Sequence, residues 1–497
     1  MRRPRRLAVA VAALAIALAG CDVGPDYQRP VAAVPAAYKE AGWQKARPAD
    51  ATPRGRWWAV FRDPALDGLE PQVDVSNQTL KSAEAKFREA EAIVAQARAG
   101  YFPTADINAS ATRSGAGGGG SRGGSGGVSN AFSITAGASW IPDLWGKVRR
   151  TVESNVASAE ASAGDVANAK LAAQGQLAGD YMQLRVADAL KRLLDSAVEA
   201  YGESLRIAQN QYNAGIASAA DVAQARTQLQ STTAQSVAVG ILRAQLEHAI
   251  AVLIGKPPAE LTIAPVATVP ALPEIPAGLP STLLERRPDI AAAERRMAAA
   301  NAQIGVAEAA FFPDVSLSAD AGTAAATLAK LLSASSAIWS FGSTLAETVF
   351  DAGARQALVE EARATYDAAV ADYRQSVLNG FQQVEDQLAA LRILAEQAAA
   401  EDSALASARE AERIVLNQYK AGTVAYTSVV VAQTAALSNA EAALNVQQSR
   451  LVAAVALIEA LGGGWDAAQL PGRERIESDL PLDFNPFPPA DAFPKLR

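Results

Sequence analysis

Two stretches of the chain alternate strictly between apolar and polar residues, which is typical of β-strands with one apolar face. In the first, alanine and isoleucine alternate with polar residues from Thr104 onward, and the alternation resumes at Phe132 after a glycine-rich loop. The second does the same from Val315 and again from Trp339. The pattern predicts two β-hairpins, with strands at about residues 104–113, 131–141, 315–322 and 338–348.

Strands of about ten residues are long enough for a tilted passage through the hydrocarbon layer of a membrane. Four strands cannot close a barrel, because the smallest barrels need about eight. A membrane-spanning interpretation therefore requires strands from several copies of the chain. The alternative is a pair of ordinary periplasmic hairpins, each with one buried face.

Helical spacing fills most of the remaining chain, and prolines are absent from residues 143–256 and 314–470. We predict very long helices from Lys147 to Tyr212 and from Ala354 to Lys420, each about 100 Å long at about 1.5 Å per residue. Glycine turns at Gly215 and Gly422 separate them from returning helices, which we predict at about 219–254 and 426–461.

The chain repeats itself with an offset of about 200 residues. Phe-Pro at 102–103 recurs at 312–313, and Asn-Gln-Tyr-x-Ala-Gly at 210–215 recurs at 417–422. Two unrelated landmarks at nearly one offset indicate an internal duplication. The predicted fold class is mostly α with a β-barrel part, and each half runs helix, β-hairpin, very long helix, glycine turn, returning helix.

The N-terminus has the pattern of a secretion signal. Four arginines precede an apolar run that ends in Leu18-Ala19-Gly20-Cys21, which resembles the bacterial lipobox. We predict cleavage before Cys21, with a diacylglycerol and an N-acyl chain on that residue; an ordinary signal followed by a free thiol is the alternative. No later segment is predicted to be a transmembrane helix.

These features divide the chain into six parts: a signal peptide (1–20), a lipidated N-terminal periplasmic segment (21–66), a first repeat (67–264), a proline-rich linker (265–280), a second repeat (281–464) and a C-terminal periplasmic tail (465–497).

Composition argues against an enzyme and against a nucleic-acid partner. With one histidine, His248, and one cysteine, the chain cannot build a Cys/His zinc site or an internal disulfide. A formal net charge of −7 disfavours binding to nucleic acid. We therefore predict no catalytic residues, no metal site and no cofactor other than the lipid on Cys21.

The sequence resembles the TolC-like outer-membrane factors, and within them the NodT-type efflux lipoproteins. The resemblance is carried by four phrases of this sequence: 21–27 (CDVGPDY), 57–66 (WWAVFRDPAL), 284–290 (LERRPDI) and 301–307 (NAQIGVA). It implies an outer-membrane homotrimer in which each chain supplies four strands to one twelve-stranded barrel. Below the barrel, the resemblance implies a helical tunnel across the periplasm.

The implied function is that of a passive exit duct. Such a duct docks through a periplasmic membrane-fusion adaptor onto an inner-membrane RND pump and releases drugs or other small amphiphiles. Two alternatives are kept. The first is a duct of the same kind for another cargo, such as proteins, metal ions or oligosaccharides. The second is a periplasmic coiled-coil lipoprotein scaffold that forms no channel.

The resemblance places the gate at the periplasmic tip, beside the two glycine turns. Family members usually carry aspartates after the second turn, where this chain has Ser428 and Val431, whereas Asp221 matches the acidic residue of the first repeat. We therefore predict an apolar constriction at residues 429–431. Val431 could instead pack between helices.

Two tyrosines flank the turns at equivalent positions, Tyr212 and Tyr419. We predict that they hold the closed helix pairs together, with plain core packing as the alternative. Gly215 and Gly422 are predicted to form the turns that an adaptor contacts.

Overall fold

The computed structural model describes residues 23–31, 34–35, 37–40, 56–115, 128–266, 268–275 and 286–478. The predicted signal peptide, Cys21, most of the glycine-rich loop and the end of the C-terminal tail lie outside the described residues.

The four strands form one antiparallel sheet in the order β1-β2-β3-β4. The two hairpins are joined by pairing between β2 and β3, where Trp140 lies opposite Leu317. Strands β1 and β4 are the edges, and neither pairs with another strand of the described chain. The strands span β1 Thr104–Gly115, β2 Val128–Trp140, β3 Asp314–Ala325 and β4 Ala337–Ala346.

The register of the sheet separates an apolar face from a polar one. One row across all four strands contains Ile107, Ala136, Ala321 and Trp339, and the adjacent row contains Asp106, Gly137, Asp320 and Ser340. Ile107 is 79% exposed and Trp339 is 81% exposed. The chain does not cover its own apolar face, which disagrees with the alternative of hairpins that each have one buried face.

Helices make up most of the rest. Two of them, α3 and α6, have 67 residues each and are about 100 Å long. Each follows a glycine with positive φ, Gly146 or Gly353. The bounds are α1 Pro64–Ser76, α2 Gln78–Ala99, α3 Lys147–Asn213, α4 Ala219–Leu253, α5 Pro288–Ala309, α6 Ala354–Lys420, α7 Tyr426–Ala460 and α8 Arg473–Ser478.

The predicted duplication is confirmed in the order of the elements. The first half runs α2-β1-β2-α3-α4 and the second runs α5-β3-β4-α6-α7. The largest apolar cluster joins the buried side chains of α1 to the middle of α3 and to the ends of α4 and α7, and a second cluster joins α5 to α6. Both lie part-way along the long helices, so the sheet is at one end of the molecule and the glycine turns are at the other.

The described residues 23–31, 34–35 and 37–40 form an N-terminal strap along the outside of these helices. At its start, the Arg150 Nε donates a hydrogen bond to the Val23 carbonyl oxygen at 3.1 Å. Near its end, Glu40 pairs with Arg392 at 3.0 Å in the middle of α6. The strap thus begins beside the first turn of α3, near the sheet, and continues towards the middle of the molecule.

One helix of the described chain, α4, is long and apolar enough to cross a membrane by length and composition, and 22% of its most apolar stretch is buried. The sequence analysis predicted no transmembrane helix after the signal peptide. By length and composition alone, α4 departs from that prediction. Because α4 folds back along α3 after the Gly215 turn, the two helices occupy the same environment. The adjoining part of α3 carries Asp188, which accepts a hydrogen bond from the Arg243 guanidinium of α4 at 2.7 Å, and Asp195, which accepts one from the Ser236 hydroxyl of α4; such charged groups are unsuited to a hydrocarbon layer.

Candidate functional site at the glycine turns

The two glycine turns have the same backbone geometry. Gly215 and Gly422 have φ values of +77° and +73°. Their N–H groups donate to the carbonyl oxygens of Tyr212 and Tyr419, at 2.9 Å in both cases. A side chain at either glycine would meet open space. The left-handed backbone, not crowding, is therefore what favours glycine there.

The helices that follow the turns begin differently. At the start of α4, the Asp221 N–H donates to the Ser218 Oγ at 3.2 Å, and the Ser218 N–H donates to the Asp221 carboxylate at 2.9 Å. This reciprocal pair is a capping box. At the start of α7 the equivalent residues are Ala425 and Ser428, and no side chain caps the helix. Asp221 therefore has a structural role in the first repeat that Ser428 does not fill in the second.

An apolar tip cluster joins all four helices beside the turns. The rings of Tyr419 and Tyr426 meet edge to face, with centroids 5.1 Å apart. Both tyrosines are buried, and Val429 is buried with them. The members of the tip cluster are Ala208, Val222, Ala225, Tyr419, Tyr426 and Val429.

Burial keeps the phenols of this cluster neutral. It raises the pKa of Tyr426 to about 12, with the neighbouring Tyr419 as a further cause. Burial also raises the pKa of Tyr419, and the negative charge of Asp221 adds to the effect. Neither hydroxyl has a hydrogen-bond partner among the described residues. The cluster thus holds the helices together by apolar and ring contacts.

Polar contacts further from the turns tie the first repeat to α7. The Tyr201 hydroxyl donates to the Gln433 carbonyl oxygen at 3.1 Å, and the Gln433 amide donates to the Ser204 Oγ at 3.0 Å. Gln433 is almost fully buried. The sequence reasoning missed Gln433 and Tyr426; the seven-residue spacing of Tyr419 and Tyr426 across the turn was the available signal.

The predicted tip residues divide into two groups. Tyr419 lies in the tip cluster, whereas the equivalent Tyr212 is 47% exposed. The physical reason is the partner: Tyr426 packs edge to face against Tyr419, whereas the corresponding residue of the first repeat is Ala219, which has no ring. Val431 is 70% exposed and Ser428 is exposed too. Within one chain Val431 is therefore not a core packing residue.

Within the described ranges, no group of three or more histidine, cysteine, aspartate or glutamate side chains is placed to hold a metal ion. His248, singled out by its rarity, is exposed on α4.

Comparison with known proteins gives consistent results. A family model described as "Outer membrane efflux protein" matches residues 71–256 and 279–463, one range in each half. The toluene efflux pump outer membrane protein TtgC of Pseudomonas putida is 32% identical over 92% of this chain and 95% of its own length. The cation efflux system protein CusC of Escherichia coli O6:H1 is 30% identical over 91% and 97% of the two chains.

Solved structures agree with these sequence matches. The open state of the MtrE outer membrane channel of Neisseria gonorrhoeae matches with a TM-score of 0.79 and 27% identity, over 90% of this chain and 99% of that one.

Proposed function

Because the chain belongs to the outer membrane efflux protein family, we propose that it is the outer-membrane exit duct of a tripartite efflux system. The observation that carries the proposal is a four-stranded sheet with two open edges and an uncovered apolar face, attached to helices about 100 Å long. The family match does not fit the alternative of a coiled-coil scaffold without a channel.

The open edges support a homotrimer. In hydrocarbon an unpaired strand edge leaves backbone N–H and C=O groups without partners, which costs several kcal/mol for each group. Edge β1 of one copy must therefore pair with edge β4 of the next until the sheet closes. Three copies give the twelve-stranded barrel that the sequence resemblance implies. In that barrel the row with Ile107 and Trp339 faces lipid, and the row with Asp106 and Asp320 lines the pore.

The helical part then forms the periplasmic tunnel, and the glycine turns lie at its far end. There the duct docks onto a periplasmic adaptor and, through it, onto an inner-membrane RND pump. The lipid on Cys21 anchors the strap in the outer membrane. Each buried CH₂ group of the lipid contributes about 0.8 kcal/mol of membrane-binding free energy. This contribution adds to the anchorage that the barrel provides.

The cargo we propose is small amphiphilic compounds such as drugs and solvents. The name of TtgC refers to toluene and that of CusC to cations, and the two proteins have nearly the same sequence identity to this chain. The composition favours the first, since one histidine and three methionines provide few soft ligands for a metal relay. Efflux assays with toluene, antibiotics and copper salts in a strain that lacks its own duct test this choice.

We place the closed gate of the duct at Val431 on α7. Three copies of an exposed valine beside the tunnel mouth form an apolar ring that blocks ions by excluding water. Replacing Val431 with alanine or glycine is expected to raise the current through the closed channel in planar bilayers. The matched control is Ala435→Gly, which weakens the same helix without removing a bulky apolar side chain.

The mass of the purified protein in detergent and its conductance test the duct and the gate separately. A conducting trimer whose current rises with Val431→Gly and not with Ala435→Gly supports both. A conducting trimer with equal currents in all variants retains the duct and rejects the gate. A monomer without conductance rejects the duct itself.

A further inference from the structure

The segment that leaves the sheet after β4 carries two strongly exposed apolar side chains. Val349 is 91% exposed and Phe350 is 86% exposed. They lie in a rim segment, Glu347–Asp351, that connects β4 to α6. Side chains of this size are rarely left in water when they form a continuous patch. We therefore expect a partner to cover Val349 and Phe350, the patch of the rim segment.

The rim segment is held in place by a single arginine. The Arg355 guanidinium donates to the Asp351 carboxylate at 2.7 Å and to the Glu347 carboxylate at 3.1 Å. It also donates to the Thr348 carbonyl oxygen and lies over the ring of Phe311. The contacts with Glu347, Thr348 and Asp351 bracket Val349 and Phe350. The two apolar side chains are therefore presented by a fixed loop.

The backbone beyond the rim segment adds to this constraint. Ala352 has a φ of +54°, which is uncommon for a residue with a side chain, and Gly353 follows at +90°. Two consecutive left-handed residues turn the chain sharply into α6. This turn separates the rim segment from the helix and leaves it beside the end of the sheet.

The rim segment directly follows a strand of the exposed apolar face of the sheet. Leu345 and Phe341, on the preceding strand, are exposed and share the face that contains Trp339. At the same end of the sheet, Trp140 closes β2 and is exposed, and its indole N–H donates to the Tyr101 carbonyl oxygen at 3.1 Å. Aromatic side chains in such a position are typical of the border between hydrocarbon and lipid headgroups.

The equivalent connection in the first repeat is built differently. There Trp145 stacks on Phe312 with ring centroids 4.9 Å apart, and its indole N–H donates to the Pro313 carbonyl oxygen at 2.8 Å. The aromatic residue of the first connection thus packs onto its own chain. Ile141 of the first connection is 55% exposed, so the neighbouring pair Val349 and Phe350 makes the second connection the more exposed of the two.

The start of the strap lies at the same level. Val23 contacts Arg150 in the first turn of α3, and Arg355 is in the first turn of α6. Cys21 is two residues before Val23, and two residues span at most about 7 Å. A lipid on Cys21 therefore enters the membrane close to the level of the rim segment.

We propose that the rim segment inserts Val349 and Phe350 into the acyl chains of the inner leaflet of the outer membrane, as an anchor beside the barrel. The proposal rests on the proposed function, because it takes the apolar face of the sheet as the lipid face. The occupant is lipid and not a neighbouring copy, because the rim segment directly follows a strand of the lipid face and lies at the level of the lipid anchor.

Nitroxide labelling of Phe350→Cys in the mature lipoprotein tests this. With the sulfur of Cys21 acylated, the introduced cysteine is the only free thiol, and unmodified protein measures any labelling at Cys21. The labelled trimer is placed in phosphatidylethanolamine–phosphatidylglycerol vesicles. Its accessibility to oxygen and to a water-soluble nickel chelate is then measured by electron paramagnetic resonance.

We expect oxygen accessibility several-fold above nickel accessibility at residue 350, as at the matched control Phe341→Cys on the sheet. High nickel accessibility would place the segment in water, and low accessibility to both reagents would place it against another copy; either result overturns the proposal. Oligomer mass and conductance, measured on the same samples, report separately whether the trimeric duct has formed.

Discussion

Glu70 is a carboxyl group that the fold encloses completely. It lies in α1, whose neighbouring side chains Leu66, Leu69 and Val73 belong to the largest apolar cluster. Neither carboxyl oxygen has a hydrogen-bond partner among the described residues. Burial, aided by the negative charge of Asp74, raises the pKa of Glu70 to about 9. At neutral pH this group is therefore an uncharged acid.

A pH dependence of stability follows from this shift. An unfolded glutamate has a pKa of about 4.3. Between about pH 4.5 and pH 9, Glu70 is therefore ionised in the unfolded chain and protonated in the folded one, so folding binds one proton. The folded state binds more protons than the unfolded state there, and stability falls as the pH rises, by up to about 1.4 kcal/mol per pH unit and chain. Glu70→Gln cannot ionise, so we expect a higher melting temperature at pH 8 and a flatter profile between pH 5 and pH 9.

Thermal melting across this pH range measures the effect of Glu70→Gln. The matched control is Glu199→Gln, which changes an exposed glutamate on α3. If the profiles of wild-type protein, Glu70→Gln and Glu199→Gln run parallel, Glu70 does not titrate as its burial requires.

Among the elements, the two returning helices provide a natural comparison, because only α4 has a capping box. The double change Ala425→Ser with Ser428→Asp gives α7 the residues of the α4 box. A cap contributes about 1 kcal/mol, so amide hydrogen exchange in the first turn of α7 is expected to slow about fivefold. Ser218→Ala is expected to speed exchange in the first turn of α4 by a similar factor.

Hydrogen exchange with peptide-level mass spectrometry resolves these two turns. Exchange in the middle of α3, far from the tip, provides the internal reference. Unchanged exchange in α7 after the double substitution would mean that contacts of Tyr426, and not the missing cap, hold the first turn.

Elements of this fold are predictable because their signals are local. The periodicity predicts a helix from Lys147 to Tyr212, and the helix ends one residue later at Asn213. Strand β2 begins at Val128, ahead of the alternating pattern, because Ser129 and Asn130 pair with Ser114 and Arg113 through the backbone ladder. Such a polar ladder leaves no hydrophobic signal in the sequence.

Contacts at the tip and along the strap could not be predicted in the same way. Tyr212 and Tyr419 are equivalent in sequence, yet one is exposed and the other buried, because only Tyr419 has a ring to pack against. The enclosure of Glu70 depends on segments far away in the chain. These properties arise from the three-dimensional arrangement, which periodicity does not encode.

At the scale of the whole molecule, a single chain leaves two apolar helix faces uncovered. On α4, Val237 and Ile241 are exposed, and on α6, Leu378 and Ile393 are exposed. Ile241 and Ile393 lie at matching distances from their glycine turns, about 40 Å along helices that rise about 1.5 Å per residue. In the proposed trimer, the α4 face of one copy can therefore meet the α6 face of the next at the same height. This contact also accounts for a helix as apolar as α4 outside the membrane.

Cross-linking between these faces tests the arrangement. In the mature protein, Ile241→Cys combined with Ile393→Cys is expected to give covalent dimers and trimers with a short bismaleimide, whereas each single variant stays monomeric on denaturing gels. The matched control combines Ile241→Cys with Ile414→Cys, because Ile414 is exposed on the same helix but only about 12 Å from the turn. Equal cross-linking in both pairs, or none in either, would contradict this packing of neighbouring copies. Efficient cross-linking of the first pair alone would fix the height at which α4 and α6 meet, and with it the route by which three copies enclose the tunnel.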